Sequence, residues 1–229
     1  CALALSPDGS TLAVGDDSGN VLLWSTRTGT MTEILAGSSR RVWNLVFSPD
    51  GKKLAVGIIN DIAVWDLQRK RRIFSKTGLG APLAISPDGQ TVALGTESGI
   101  LVCQIATGQI VQTLTSHRER VYWLAFCPDG RTLASAAEDL KLWSLAAGRE
   151  VASFRAMDFF KYVDFSPNGK YFYRMLPMPN GAPQPRYEVV LVDGDKVVRT
   201  FDFLRGDGHF QWAHSSDALI FDRDTSGVL

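Results

Sequence analysis

The chain has 229 residues, 45% of them hydrophobic and 21% charged, with 24 Lys and Arg against 24 Asp and Glu. Balanced charge supplies no long-range attraction to nucleic acid or an anionic membrane, so neither is expected as a partner. No run approaches the roughly 18 consecutive apolar residues of a spanning helix, and the cysteines at 1, 103 and 127 lack the spacing of a disulfide framework or a zinc knuckle.

In chain order, residues 1–5 read as the end of a strand and "SPDG" at 6–9 as the turn after it. Proline presets φ, aspartate accepts from the local backbone and glycine admits positive φ. The phrase returns at 48–51 and 86–89, as "CPDG" at 127–130, "SPNG" at 166–169 and a degraded "SSDA" at 215–218. The spacings are 42, 38, 41, 39 and 49 residues, a period near 40 with one long member. Within a period every signal is a strand signal. The second period predicts strands a to d at 42–47, 53–58, 62–67 and 71–76. Gly29, Gly108 and Gly148 each stand five residues after Trp24, Cys103 and Trp143, which predicts one recurring c–d turn. Along 42–47, Val42 and Leu45 have opposite parity, so either both faces of that strand are covered or a bulge intervenes. The run "QRKRR" at 68–72 falls on a c–d hairpin and reads as a solvated turn. Cys127 reads as the serine of its repeat replaced by a residue of similar size.

Four short strands cannot bury both faces alone, so the units must stack, and radial stacking gives an all-β propeller of four-stranded antiparallel blades. "FSPDG", the strand-c endings "LLWS" (22–25), "AVWD" (63–66) and "KLWS" (141–144), and the period together resemble the WD40-repeat β-propeller family, over nearly the whole chain. Cys103 in place of the strand-c Trp marks a divergent member, and the style resembles bacterial arrays. One domain, 1–229, is expected, with five whole periods and part of a sixth. Such propellers usually close with about seven blades, and the chain begins at Cys1 rather than Met, so an incomplete domain is expected and no compartment is legible.

The resemblance implies a hydrogen-bond network of His before strand a, Ser or Thr on strand b, Asp at the b–c turn and Trp on strand c. His117, Ser135, Asp139 and Trp143 supply it in one period, with a b–c turn shorter than usual before Trp143. It also implies that partners dock on the narrow face around the channel, near the start of strand a. The copies there hold Trp43 and Asn44, Ala81 and Pro82, Tyr122 and Trp123, Lys161 and Tyr162, Phe210 and Gln211. These residues, except Ala81 and Pro82, are the candidate partner-binding set, and packing between blades is the alternative for their aromatic rings. The long period holds "RMLPMPNGAPQPRYE" at 174–188 where a b–c turn belongs. Its Pro177, Pro179, Pro183 and Pro185 stiffen a loop that either recognises a partner or is a tolerated insertion.

No nucleotide-binding, hydrolase or zinc-protease motif occurs. His209 and His214 lie near Asp207 and Asp217, but five residues apart on a strand they face opposite ways, so no metal and no cofactor is expected. The function expected is a non-catalytic scaffold binding a protein or peptide on the channel face and the 174–188 loop. The alternative is a propeller enzyme, or a domain serving one, of lactonase, quinoprotein or peptidase type. It would draw on Asp164, His209 and His214, the only His, Asp or Glu on the strand-a copies.

Overall fold

The computed structural model describes residues 2–35, 40–79, 82–155, 163–175, 186–192, 197–202, 209–212 and 219–222, and every regular element among them is a strand. β1 (Ala2–Leu5), β2 (Thr11–Gly15), β3 (Val21–Ser25) and β4 (Met31–Leu35) form the first four-stranded antiparallel sheet in chain order. The second is β5 (Val42–Phe47), β6 (Lys53–Ile58), β7 (Asn60–Asp66) and β8 (Arg71–Leu79); the third is β9 (Leu83–Ile85), β10 (Thr91–Gly95), β11 (Gly99–Gln104) and β12 (Ile110–Thr115). β13 (Trp123–Phe126), β14 (Thr132–Ala136), β15 (Asp139–Ser144) and β16 (Arg149–Arg155) make the fourth. β17 (Val163–Phe165), β18 (Tyr171–Met175), β19 (Arg186–Leu191) and β20 (Val197–Asp202) make the fifth, and β21 (His209–Trp212) pairs with β22 (Leu219–Asp222). No helix among the described residues is long and apolar enough to cross a membrane.

The predicted strands of the second unit stand, with two extensions and with strand c closing at Asp66, one residue early. Strand c opens at Asn60 because Ile58 pairs with Asp61, leaving only Ile59 and Asn60 as the turn. Asn60 takes φ 62°, a left-handed conformation that asparagine tolerates better than most residues. Strand d runs on to Leu79.

The repeated turns are built alike. In the first, the Ser6 hydroxyl donates to Asp8 at 2.6 Å, Asp8 accepts from the Ser10 N–H, and Ser6 Oγ accepts the Thr11 N–H. These donors, the Ser6 hydroxyl above all, hold the Asp8 carboxyl near a pKa of about 2. Cys127 departs from this pattern. Its thiol donates to the Gly169 carbonyl of the fifth unit at 3.3 Å, while Asp129 accepts the Arg131 and Thr132 N–H groups. Cys127 is therefore a tie between units as well as a size match for serine, and burial pushes its pKa up to about 12. The c–d turn also recurs: Gly29, Gly108 and Gly148 have φ of 66°, 73° and 66°, and Lys70 takes the same place in the second unit at 52°. In each of the five units the c–d ladder slips just before the strand-c position held by Trp24, Trp65, Cys103, Trp143 and Val190.

The core lies between the units. Leu35 and Leu23 of the first sheet pack with Val42, Leu45 and Leu54 of the second. Ala55, Val64 and Phe74 of the second meet Leu83, Val92 and Leu94 of the third. Leu114 and Ile100 of the third meet Val121, Leu133 and Trp143 of the fourth, and Leu142 and Phe154 of the fourth meet Phe165 and Phe172 of the fifth. Adjacent residues such as Leu54 and Ala55 thus serve opposite interfaces, as the period of two in a strand requires. Both faces of the sheet are covered, and β5 also carries a bulge between Val42 and Asn44.

Candidate functional site

First strands touch in succession: β1 with β5, β5 with β9, β9 with β13 and β17 with β21. Their entries are tied to the preceding unit by backbone bonds. The Val42 N–H donates to the Asp16 carbonyl at 3.1 Å, and the Val121 N–H donates to the Thr96 carbonyl at 3.0 Å. Both valines are buried, and they press against glycines. A Cβ on Gly15 would lie 2.5 Å from Val42 Cβ; one on Gly95 would lie 2.6 Å from Pro82 Cγ.

The residue after each valine turns outward. The bulge leaves Trp43 without a ladder partner, and its ring is 55% exposed. Tyr122, just ahead of β13, is 47% exposed. The two rings line one groove of about 570 Å³. Trp43, Asn44, Ile59 and Asn60 come to it from the second blade; Pro82 comes from the third; Arg120, Val121 and Tyr122 come from the fourth. Asn44 also spans blades, its amide donating to the Leu83 carbonyl at 3.3 Å. The Arg41 guanidinium lies 4.9 Å from the centre of the Trp43 ring. Arg41 pairs with Asp17 at 3.1 Å and Arg120 with Glu97 at 3.6 Å.

The candidate residues therefore divide. Trp43, Asn44 and Tyr122 share the groove. Trp123 is half-buried against the layer between the fourth and fifth blades, among Cys127, Ala134 and Phe165, so its ring follows the packing alternative. Phe210 and Gln211 lie on β21, in register with Phe221 and Ile220. Lys161, Tyr162, Pro177, Pro179, Pro183 and Pro185 lie outside the described residues, as does His214. β18 ends at Met175 and β19 opens at Arg186, the b–c end of the fifth blade; in the second blade that end brings Ile59 and Asn60 to the groove. Sequence reasoning missed Ile59, Asn60, Arg41 and Arg120. A usable signal was present: "RVW" at 41–43 and "RVY" at 120–122 are one phrase in one register. The "QRKRR" run is exposed at its hairpin, with Arg69 paired to Asp66 and Lys70 to Glu33.

The fourth blade also holds a buried polar cluster. Trp143 Nε1–H donates to Ser135 Oγ at 2.7 Å, and Ser135 Oγ lies 2.7 Å from His117 Nε2. Nδ1 faces a carboxylate, which can only accept, so Nδ1 carries the proton of the neutral imidazole and Nε2 takes the Ser135 hydroxyl hydrogen. The carboxylate facing Nδ1, at 3.3 Å, is that of Glu138. At His117 Glu138 thus takes the part expected of Asp139, which opens β15 opposite Arg155; a turn this short places the earlier carboxylate beside the ring. Glu138 also accepts from the Arg118 N–H, and Glu150 accepts from Lys141 and Ser116.

Burial lowers the His117 pKa below its ordinary 6.5, against the opposing pull of Glu138; Lys141 lowers it further and Glu150 raises it. The unfolded chain then binds a proton that the folded site resists. The stability contributed by neutral His117 is present above pH 6.5 and is lost as pH falls through the folded value. We expect the urea midpoint to fall between about pH 7.5 and 5.5, and His117→Gln to flatten that fall. An equally steep fall in the variant would show that another group titrates there.

Four-stranded meanders that share every core layer with a neighbour, with their first strands in contact, define a β-propeller. Residues 1–25 and 108–143 match the model of the WD domain, G-beta repeat, and the second stretch holds His117, Ser135 and Trp143. A WD repeat-containing protein of Schistosoma mansoni is 34% identical over 154 residues, 64% of this chain and 51% of its own length. A periodic tryptophan protein 2 homolog of Dictyostelium discoideum is 33% identical over 161 residues, 65% of this chain and 17% of its own length. The chain belongs to the WD40-repeat family. It spans about half the length of the first of these relatives and less of the second. Among solved structures, Kuenenia stuttgartiensis hydrazine synthase matches with a TM-score of 0.71 over 86% of this chain and 64% of its own, at 24% identity, a likeness of fold.

Proposed function

We propose that this chain is a non-catalytic interaction scaffold that docks a protein or peptide partner in the groove between Trp43 and Tyr122, with the 174–188 loop as a second contact. The observation that carries this reading is the meeting of two half-exposed aromatic rings from different blades over one groove. Aromatic side chains set in concave surfaces dominate interface energies, and truncation at such a centre costs about 2 kcal/mol or more. The groove's lining joins aromatic and apolar side chains with two amides and one guanidinium, groups suited to binding contacts.

The test uses a partner isolated by affinity capture and then purified. Trp43→Ala and Tyr122→Ala should each weaken its binding about 30-fold or more while leaving the thermal midpoint nearly unchanged. Trp123→Ala should instead lower the midpoint, because that ring packs into a shared core layer. A partner held equally well by both groove variants would sink the docking reading.

A further inference from the structure

The groove's surroundings are asymmetric in charge, and this bears on what docks there. Arg120 is the one charged side chain among its lining residues. Two more arginines stand at its edge: Arg41 over the Trp43 ring, and Arg40, whose guanidinium donates to the Ile59 carbonyl at 3.5 Å. The whole chain has no net charge, so this is a local arrangement.

The acids paired with these arginines are loosely held. The side chains of Asp17 and Glu97 are 81% and 82% exposed, at 3.1 Å and 3.6 Å from their guanidiniums. Exposed pairs of this kind contribute about 0–1 kcal/mol, so an arginine can exchange its partner at little cost. The device is built twice in one register. Each arginine precedes the buried valine of a strand entry, and each acid stands two residues after the glycine that valine presses on.

A cationic ligand would meet Arg40, Arg41 and Arg120, and the Trp43 ring already has a guanidinium against it. A carboxylate would meet forked donors suited to it. Between them the walls of Ile59, Pro82 and Val121 can shelter an apolar side chain, which a bare phosphate backbone does not offer. We propose that the groove takes an acidic peptide segment carrying an aromatic or large aliphatic anchor. Asp17 and Glu97 then act as internal competitors for the arginines. This rests on the groove being the docking site.

The test is fluorescence anisotropy on the whole chain with three labelled peptides: Glu-Asp-Phe-Asp-Glu, Glu-Asp-Ala-Asp-Glu and Lys-Lys-Phe-Lys-Lys. The first should bind, with at least about tenfold loss on removing its phenylalanine. Arg120→Gln and Arg41→Gln should each weaken it about fivefold in low salt and less in high salt. Glu97→Gln should tighten it about two- to threefold, an effect that loss of a merely structural ion pair would not give. The proposal is overturned if no acidic peptide binds at millimolar concentration, if the lysine peptide binds as well, or if Glu97→Gln weakens binding. A lysine peptide whose binding depends on Trp43 would overturn the charge assignment and leave the docking site standing. A purified partner indifferent to Trp43 and Tyr122 would remove both.

Discussion

Trp143→Ala is expected to lower the unfolding free energy by about 3–5 kcal/mol, the largest single loss we anticipate. Trp143 is 1% exposed and packs with Leu124 and Leu133 in the layer between the third and fourth blades. Truncation would open a cavity there and remove the indole N–H from Ser135. Trp143→Phe keeps much of the volume and isolates the second effect, about 1–3 kcal/mol for the polar group left unmatched. The second blade supplies the control. Trp65 occupies the same place on strand c, but the position of Ser135 is held there by Val56, and Trp65 is only half-buried. Trp65→Ala should therefore cost distinctly less in a urea titration; equal losses at the two tryptophans would show that the polar cluster adds nothing to packing.

Gly95→Ala should have a double effect, on stability and on recognition. Its φ is ordinary, so the difficulty is space. The new methyl would lie 2.6 Å from Pro82 Cγ and 3.2 Å from Val121 Cβ. Overpacking of this kind costs about 1–3 kcal/mol. Pro82 and Val121 both line the groove, so whatever moves to admit the methyl also moves the groove wall. With the groove as the proposed docking site, partner binding should fall even though no contact residue has changed. In a double-mutant cycle, Pro82→Ala should recover part of the stability lost in Gly95→Ala, since it removes the nearest clashing atom. Strict additivity would mean that the two residues are not in conflict.

The blades were legible because each depends on local chemistry repeated along the chain. The Pro-Asp-Gly turns and the glycine after strand c require particular residue types at fixed offsets, and a period near 40 makes them conspicuous. Lys70 shows the limit of that logic, holding a left-handed turn that the other blades give to glycine. The site was only half legible. Aligning the repeats brings Trp43 and Tyr122 to equivalent places but cannot say that the bulge in β5 turns Trp43 outward, nor that Trp123 turns in. Those outcomes depend on the neighbouring blade. Ile59 and Asn60 escaped notice, and the aligned Pro82 was set aside, for the same reason: the stacking alone brings them to the groove. Glu138 was missed by one residue, because the length of a turn decides which of two adjacent carboxylates reaches a histidine.

Every apolar layer among the described residues is owned jointly by two blades. A repeat in such an array is constrained by the surfaces it lends to its neighbours, so drift at one boundary is answerable only to the blade across it. Trp43 belongs to none of these layers. On β5, Val42 is bound to the first blade while Trp43, one residue on, faces solvent. The same short strand can thus keep its architecture fixed while the exposed position beside it is free to change, blade by blade.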